Sequence, residues 1–122
     1  SEKPFKDAYI EKTITLTKKN AYPWEYDAIQ VGDKYFDGDQ TVFEVLDKKS
    51  TDITVQSPDF YGNNSDSTLD LKKYIIVKAK TKVNIIDNQL FFGPEQKIIL
   101  GKTLNISTNN FTFNDYTVSK VE

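Results

Sequence analysis

The 122-residue chain contains no cysteine, no histidine and no methionine, and all 16 of its basic residues are lysine. Each absence removes a chemistry. Without cysteine there is neither a disulfide nor a thiolate nucleophile, and without histidine there is no imidazole base. Together these losses exclude the usual zinc ligand sets and cytochrome-type haem ligation, so any metal would have to be held through oxygen. Without arginine, no side chain can make the bidentate contact to guanine. With 18 acidic residues and a net charge of −2, the chain also lacks the clustered positive charge that neutralises phosphates. The expected partners therefore include no nucleic acid. Long apolar runs are missing as well: residues 74–77 and 97–100 fall far short of the roughly 20 that span a bilayer.

What remains is an ordinary globular balance, 38% hydrophobic and 28% charged. A chain of this size buries roughly two-thirds of the surface its unfolded form exposes, enough for one core. Residues 1–8 read as a polar lead-in or tether, and residues 9–122 as a single domain. The start at Ser1 with no methionine suggests that a leader or anchor has been trimmed. Abundant Lys, Asn and Ile without Arg is the signature of AT-rich codons, hence of a low-GC bacterium. The lack of cysteine suits the cytosol, or the envelope of an organism that does not rely on disulfides.

Period-two patterning dominates. Residues 9–17 place Ile10, Ile14 and Leu16 on one face and Glu11, Thr13, Thr15 and Thr17 on the other. Segments 41–47 and 53–56 are rich in β-branched and aromatic residues and read as two strands, followed by a loop over 57–67. The longest alternation begins at Lys73: Ile75, Val77, Ala79, Thr81, Val83 and Ile85 face one way, and Lys78, Lys80 and Lys82 the other. A turn at Asp87-Asn88 leads to a strand over 90–92, and further strands are expected over 97–100, 103–107, 110–113 and 116–121. Pro23 at a first helical position predicts one short helix carrying Trp24, Ala28 and Ile29 and ending before Gly32. The fold class is all-β, a small closed barrel or sandwich with at most one short helix.

Two stretches echo each other. Residues 28–34 (AIQVGDK) precede the strand 41–47, and residues 97–103 (KIILGKT) precede the strand 116–122. Each is apolar, then glycine with a charged neighbour, then a return strand, and each follows a long alternating strand. A duplicated unit of this kind suits a barrel with internal pseudo-twofold symmetry, because closure removes exposed edges.

The order of these units resembles the bacterial family called domain of unknown function four-three-three-zero. The likeness is carried by Ala28-Ile29-Gln30-Val31-Gly32-Asp33-Lys34-Tyr35-Phe36-Asp37, by Glu44-Val45-Leu46-Asp47, and by an ending in which Leu90-Phe91-Phe92-Gly93 and Ile99-Leu100-Gly101-Lys102 lead to Val118-Ser119-Lys120-Val121-Glu122. It spans residues 9–122. Phe91-Phe92-Gly93-Pro94 is more aromatic than the family's small-residue turn. The resemblance implies a domain outside the cytoplasmic membrane, tethered by an N-terminal helix, with no assigned catalytic residues.

Four groups of residues are candidates for function. Asp33, Asp37 and Asp39 could gather oxygens around Ca²⁺, although the spacing is not that of an EF-hand, and a hairpin turn at Asp37-Gly38 accounts for them more simply. Tyr22, Trp24, Tyr26, Tyr35 and Phe36 concentrate rings on which a sugar or a protein partner could stack, or which plug a small core. Lys78, Lys80 and Lys82 could meet an anionic polymer, or guard a sheet edge against pairing. Glu25, Glu44, Glu95 and the aspartates are the only groups available to a carboxylate-dependent glycosidase; no Ser nucleophile motif occurs. Sequons at Asn63, Asn105 and Asn110 are expected to be unused. The sequence thus predicts a noncatalytic module without cofactor, extracytoplasmic in a bacterial envelope, binding or scaffolding a protein partner. A carbohydrate-binding module built on the aromatics near Trp24 is the alternative.

Overall fold

A computed structural model describes residues 9–57, 68–93 and 96–122. Ser57, the first residue of the loop expected over 57–67, is the last of a strand; the rest of that loop, the lead-in, Asn63 and Glu95 lie outside the described residues. The chain runs β1 (Tyr9–Ala21), α1 (Pro23–Ala28), β2 (Lys34–Asp37), β3 (Gln40–Ser57), β4 (Thr68–Ile86), β5 (Gln89–Phe92), β6 (Gln96–Lys97), β7 (Thr103–Ser107) and β8 (Thr112–Val121). All strands belong to one antiparallel sheet of order β2-β3-β4-β1-β8-β7, with β5 and β6 continuing from β4, and the sheet curls into a half-barrel. The fold is all-β with one short helix, as the alternation predicts.

That strand order is a palindrome. Exchanging β1 with β4, β2 with β7 and β3 with β8 leaves it unchanged, so the echo in the sequence is a pseudo-twofold repeat in space. The hydrogen bonds repeat as well. Asp33 N–H donates to Gln30 O, Gly32 N–H to Val45 O, and Val45 N–H to Asp33 O; in the second unit Lys102 N–H donates to Ile99 O, Gly101 N–H to Val118 O, and Val118 N–H to Lys102 O. Both turns place glycine at positive φ, +91° for Gly32 and +85° for Gly101, the third position of a type II turn. The pairing with the central strands then slips in both units, between Val45 and Asp47 on β3 and around Ser119 on β8, where Thr15 faces Lys120 and Leu16 faces Val118. One row, Asp47, Lys78, Thr15, Lys120, crosses the middle of the sheet, and the pseudo-axis passes between Thr15 and Lys78.

The inward faces of β1, β3, β4, β7 and β8 enclose the core. Ile14, Leu16, Val42, Val45, Ile75, Val77, Ala79, Leu104, Ile106 and Val118 are buried there, around Phe43, Phe92, Phe111, Phe113 and Tyr116. The rings meet edge to face, Phe111 and Phe113 with centroids 4.9 Å apart and Phe113 and Tyr116 at 5.2 Å, which is the arrangement aromatic quadrupoles prefer. The second unit closes on itself through one side chain. The Gln96 amide donates to Asn105 O at 2.9 Å and accepts from Asn105 N–H at 3.1 Å, so that it pairs with β7 as another strand would.

Several expectations are corrected. Segments 41–47 and 53–56 are not two strands but parts of β3, because the polar residues between them pair with β4 throughout, from Lys48 opposite Val77 to Asp52 opposite Lys73. The Lys73–Asp52 ion pair, 2.7 Å long, holds that ribbon across its exposed face. β4, with its lysine comb, is not an edge strand; it lies between β1 and β3 in the middle of the sheet. There Lys78 faces Asp47, Lys80 faces Glu44, and Lys82 faces Glu11, so the comb is interleaved with carboxylates rather than guarding an edge. Residues 97–100 form only the end of β6 and the start of the second turn, while Tyr35 and Phe36 belong to a strand, β2, that their sequence context hides. Ile85, expected on the inward face, is exposed.

Candidate functional site

One surface feature is built around α1. Six residues are too few to form a stable helix alone, so this one depends on tertiary pins. Pro23 supplies the helical φ of the first turn without forfeiting a needed N–H. Glu25, three residues after Tyr22, turns back and accepts the Tyr22 N–H at 2.9 Å, one half of a capping box. The same carboxylate accepts from Lys18 Nζ at 3.0 Å and from the Tyr116 hydroxyl at 3.1 Å. Only 4% of Glu25 is exposed, and Tyr116 is fully buried. Burial, and then the negative charge and hydrogen bond of Glu25, push the ionisation of Tyr116 well above the ordinary tyrosine range. The helix is therefore tied to β1 and β8 at a single charged point.

Lysines fix the neighbouring rings. Lys48 Nζ lies 4.2 Å from the Tyr26 ring centre and donates to the Tyr26 carbonyl at 2.7 Å, while Lys72 Nζ lies 3.7 Å from the centre of the Tyr22 ring. Such contacts are worth about 0.5–1 kcal/mol at exposed sites, enough to limit how the rings turn.

Among the described residues no lysine lies over Trp24, and 62% of it is exposed, with Tyr22 at 53%. The expectation that these rings plug the core is therefore corrected: proline and the short helix thrust Trp24 outward, and the core is plugged by Phe43, Phe111, Phe113 and Tyr116. Between α1 and the start of β8 lies a groove of about 430 Å³, walled by Tyr22 and Trp24, floored by Ala28 and Phe111, and reaching Asn110, Thr112 and Asn114. The Trp24 and Phe111 rings are 6.3 Å apart and tilted by 59°, so an exposed aromatic wall meets a buried aromatic floor at an angle. Tyr35 and Phe36 do not line it; they are exposed on β2, where Tyr35 packs against Phe92 with centroids 6.1 Å apart. The sequence cluster thus divides: Tyr22 and Trp24 line the groove, Tyr35 and Phe36 lie on β2, and Tyr26 packs against the core, while Phe111, Asn110 and Asn114 join the groove from the other end of the chain. The sequence reading hides them: the strands expected over 110–113 and 116–121 are one strand, β8, which starts only at Thr112 and leaves Asn110 and Phe111 in the loop before it.

Asp33 is engaged elsewhere, while Asp37, with one buried carboxylate oxygen unpartnered among the described residues, lines a hollow of about 760 Å³ with Asp39, Tyr9 and Lys82. Asp33 is buried; its carboxylate accepts from the Thr108 hydroxyl and, at 3.1 Å, from Asn110 Nδ2, tying the start of β2 to the β7–β8 loop. Asp37 and Asp39 flank Gly38, whose φ of +63° marks the tight β2–β3 hairpin. Among the described residues no three acidic side chains are placed to hold a metal ion. Glu25 and Glu44 line different hollows, the second a small one of about 150 Å³ beside Glu11 and Lys80.

Searches against protein-family models, curated proteins and solved structures returned no match. Among the described residues no helix is long and apolar enough to cross a membrane.

Proposed function

We propose that this chain is a noncatalytic binding domain, that it takes a protein partner, and that the groove beside Trp24 is where it grips that partner. The carrying observation is the outward thrust of Trp24 over a concave, aromatic-floored groove on a rigid sheet. A ring of this size is a costly residue to leave in water, and exposed tryptophans over well-formed pockets are the usual anchors of interfaces. The groove's volume falls within the range of about 300–1,000 Å³ typical of binding sites. The motif resemblance supports placing this work outside the cytoplasmic membrane of a bacterial cell, on an N-terminal tether.

A second reading, a glycan-binding module, draws on the same exposure, because an indole face also stacks on a sugar ring. One experiment separates the two. A displayed peptide library and a glycan array are each probed with the wild type and with Trp24→Ala. Peptide binders lost in the variant support the protein reading, and glycan binders lost in the variant support the second. Binding that survives in the variant refutes the groove as the site.

A further inference from the structure

The two ends of the sheet are finished differently. β2 and β7 are equivalent strands of the repeat and stand at opposite ends of the strand order. On β7 the outer edge is closed, because the Gln96 side chain donates to Asn105 O and accepts from Asn105 N–H. Phe36 is the equivalent residue of β2: Tyr35 faces Phe43 as Leu104 faces Tyr116, and Asp37 faces Gln40 as Ile106 faces Phe113. The Phe36 N–H and C=O therefore point away from β3, and no described strand or side chain meets them. Beside them the Lys34 N–H is already taken by the Asp33 carboxylate at 3.1 Å. The open edge is thus centred on one residue, and its rings reach water, with 39% of Tyr35 and 47% of Phe36 exposed. Unpaired backbone groups of this kind are a template for another strand.

The order of charge along β2 selects which strand. The chain runs from Lys34 through two rings to Asp37 and, past Gly38, to Asp39, and among the described residues none of these three charged side chains has an ion-pair partner. Reversed, that order is its own complement. An antiparallel second copy centred on Phe36 exchanges both Phe36 hydrogen bonds and sets the two Phe36 rings side by side across a twofold axis. The same register puts Lys34 of each copy opposite Gly38 of the other, between its two aspartates. An unrelated strand could take the two hydrogen bonds, but it would have to bring lysine, ring and acid in this order to match the edge as well.

We infer that the chain forms a homodimer in which β2 pairs antiparallel with β2 of a second copy, joining the two sheets into one. Each copy contributes a four-residue strand, so the contact belongs with weak, reversible interfaces. It shares no residue with the Trp24 groove, and its failure leaves the groove reading untouched. A dimer carries two such grooves, which raises its hold on any partner that can fill both.

Sedimentation equilibrium from about 10 µM to about 1 mM should show a monomer–dimer equilibrium. Phe36→Glu sets two carboxylates opposite each other at the axis and should leave a monomer with the thermal midpoint retained. Lys34→Asp should weaken dimerisation about tenfold, and adding Asp39→Lys should restore part of it, while Trp24→Ala leaves it unchanged. Because the chain has no cysteine, a single introduced thiol reports on one place. Opposed Cα atoms in a hydrogen-bonded antiparallel pair lie about 5.5 Å apart, within disulfide reach, so mild oxidation should cross-link Phe36→Cys far faster than Leu100→Cys on another exposed turn. A monomer across the whole concentration range overturns the inference. So does a dimer that survives Phe36→Glu, or one in which Leu100→Cys cross-links as fast as Phe36→Cys, because either places the contact elsewhere.

Discussion

Replacing Tyr116 by phenylalanine removes one oxygen from the interior and tests the point at which α1 is pinned. The lost hydroxyl donates to the buried Glu25 carboxylate at 3.1 Å. Hydrogen bonds to charged groups contribute about 1.5–3 kcal/mol, so Tyr116→Phe should destabilise the domain by about that amount at neutral pH. Against a total stability of about 5–15 kcal/mol this is readily measured. The pH dependence gives a sharper signature. Tyr116 titrates above its ordinary range in the folded chain, whereas in the unfolded chain it ionises near about 10. Above that pH the unfolded state releases a proton that the folded state keeps, so stability falls as pH rises; below it, the contribution is present in full. The difference between wild type and variant should therefore be flat to about pH 9.5, then shrink by up to about 1.4 kcal/mol per pH unit. Urea denaturation followed by far-ultraviolet circular dichroism, at intervals from pH 7 to 11.5, measures it. Subtracting the variant removes the contribution of the other tyrosines and the lysines. A difference that stays flat to pH 11.5, or a cost below about 0.5 kcal/mol at pH 7, would refute the claim that this hydroxyl is buried against a carboxylate.

Other perturbations follow from the same geometry. Glu25→Ala leaves the Tyr116 hydroxyl and Lys18 without their shared partner, and should cost about 3–5 kcal/mol in urea denaturation, with loss of protected amides in α1. Gly32→Ala and Gly101→Ala each force a side chain into the left-handed region, at about 1–2 kcal/mol apiece; because the two turns share no hydrogen-bond partner, Gly32 donating to Val45 and Gly101 to Val118, the double variant should show the sum within about 0.5 kcal/mol. Asp33→Ala should lower the thermal midpoint, while millimolar Ca²⁺ leaves the wild-type midpoint unmoved; a Ca²⁺-dependent rise abolished by the variant would restore the cation reading. Phe43→Ala should cost about 3–5 kcal/mol as a core truncation.

Period-two patterning made the sheet legible because each long strand has one buried and one wet face. Ile14 and Leu16 on β1, and the series from Ile75 to Val83 on β4, sit inside as their alternation predicts. The repeat was visible at Val31-Gly32-Asp33 and Leu100-Gly101-Lys102 because a type II turn requires glycine at its third position. Position within the sheet was not legible: Lys78, Lys80 and Lys82 suit either an edge or the wet face of a central strand, and only pairing partners distant in the chain decide. The groove was half legible. Trp24 and Tyr22 follow a helix-starting proline, but whether a ring points inward depends on how α1 is anchored, and that depends on Tyr116, 91 residues beyond Glu25.

The palindromic strand order has a consequence for how the chain is made. Within the first repeat only β2 and β3 are partners; β1 pairs with β4 and β8, and the long arm of β3 pairs with β4, all of them supplied by the second repeat. The leading half emerging from a ribosome thus holds one short hairpin and two strands with bare edges. Most of the sheet can pair only once β4 follows, since β4 joins both β1 and β3, and β8 then closes onto β1. A chain stalled before β4 would leave both long strands of the first repeat without their main partner and open to proteases.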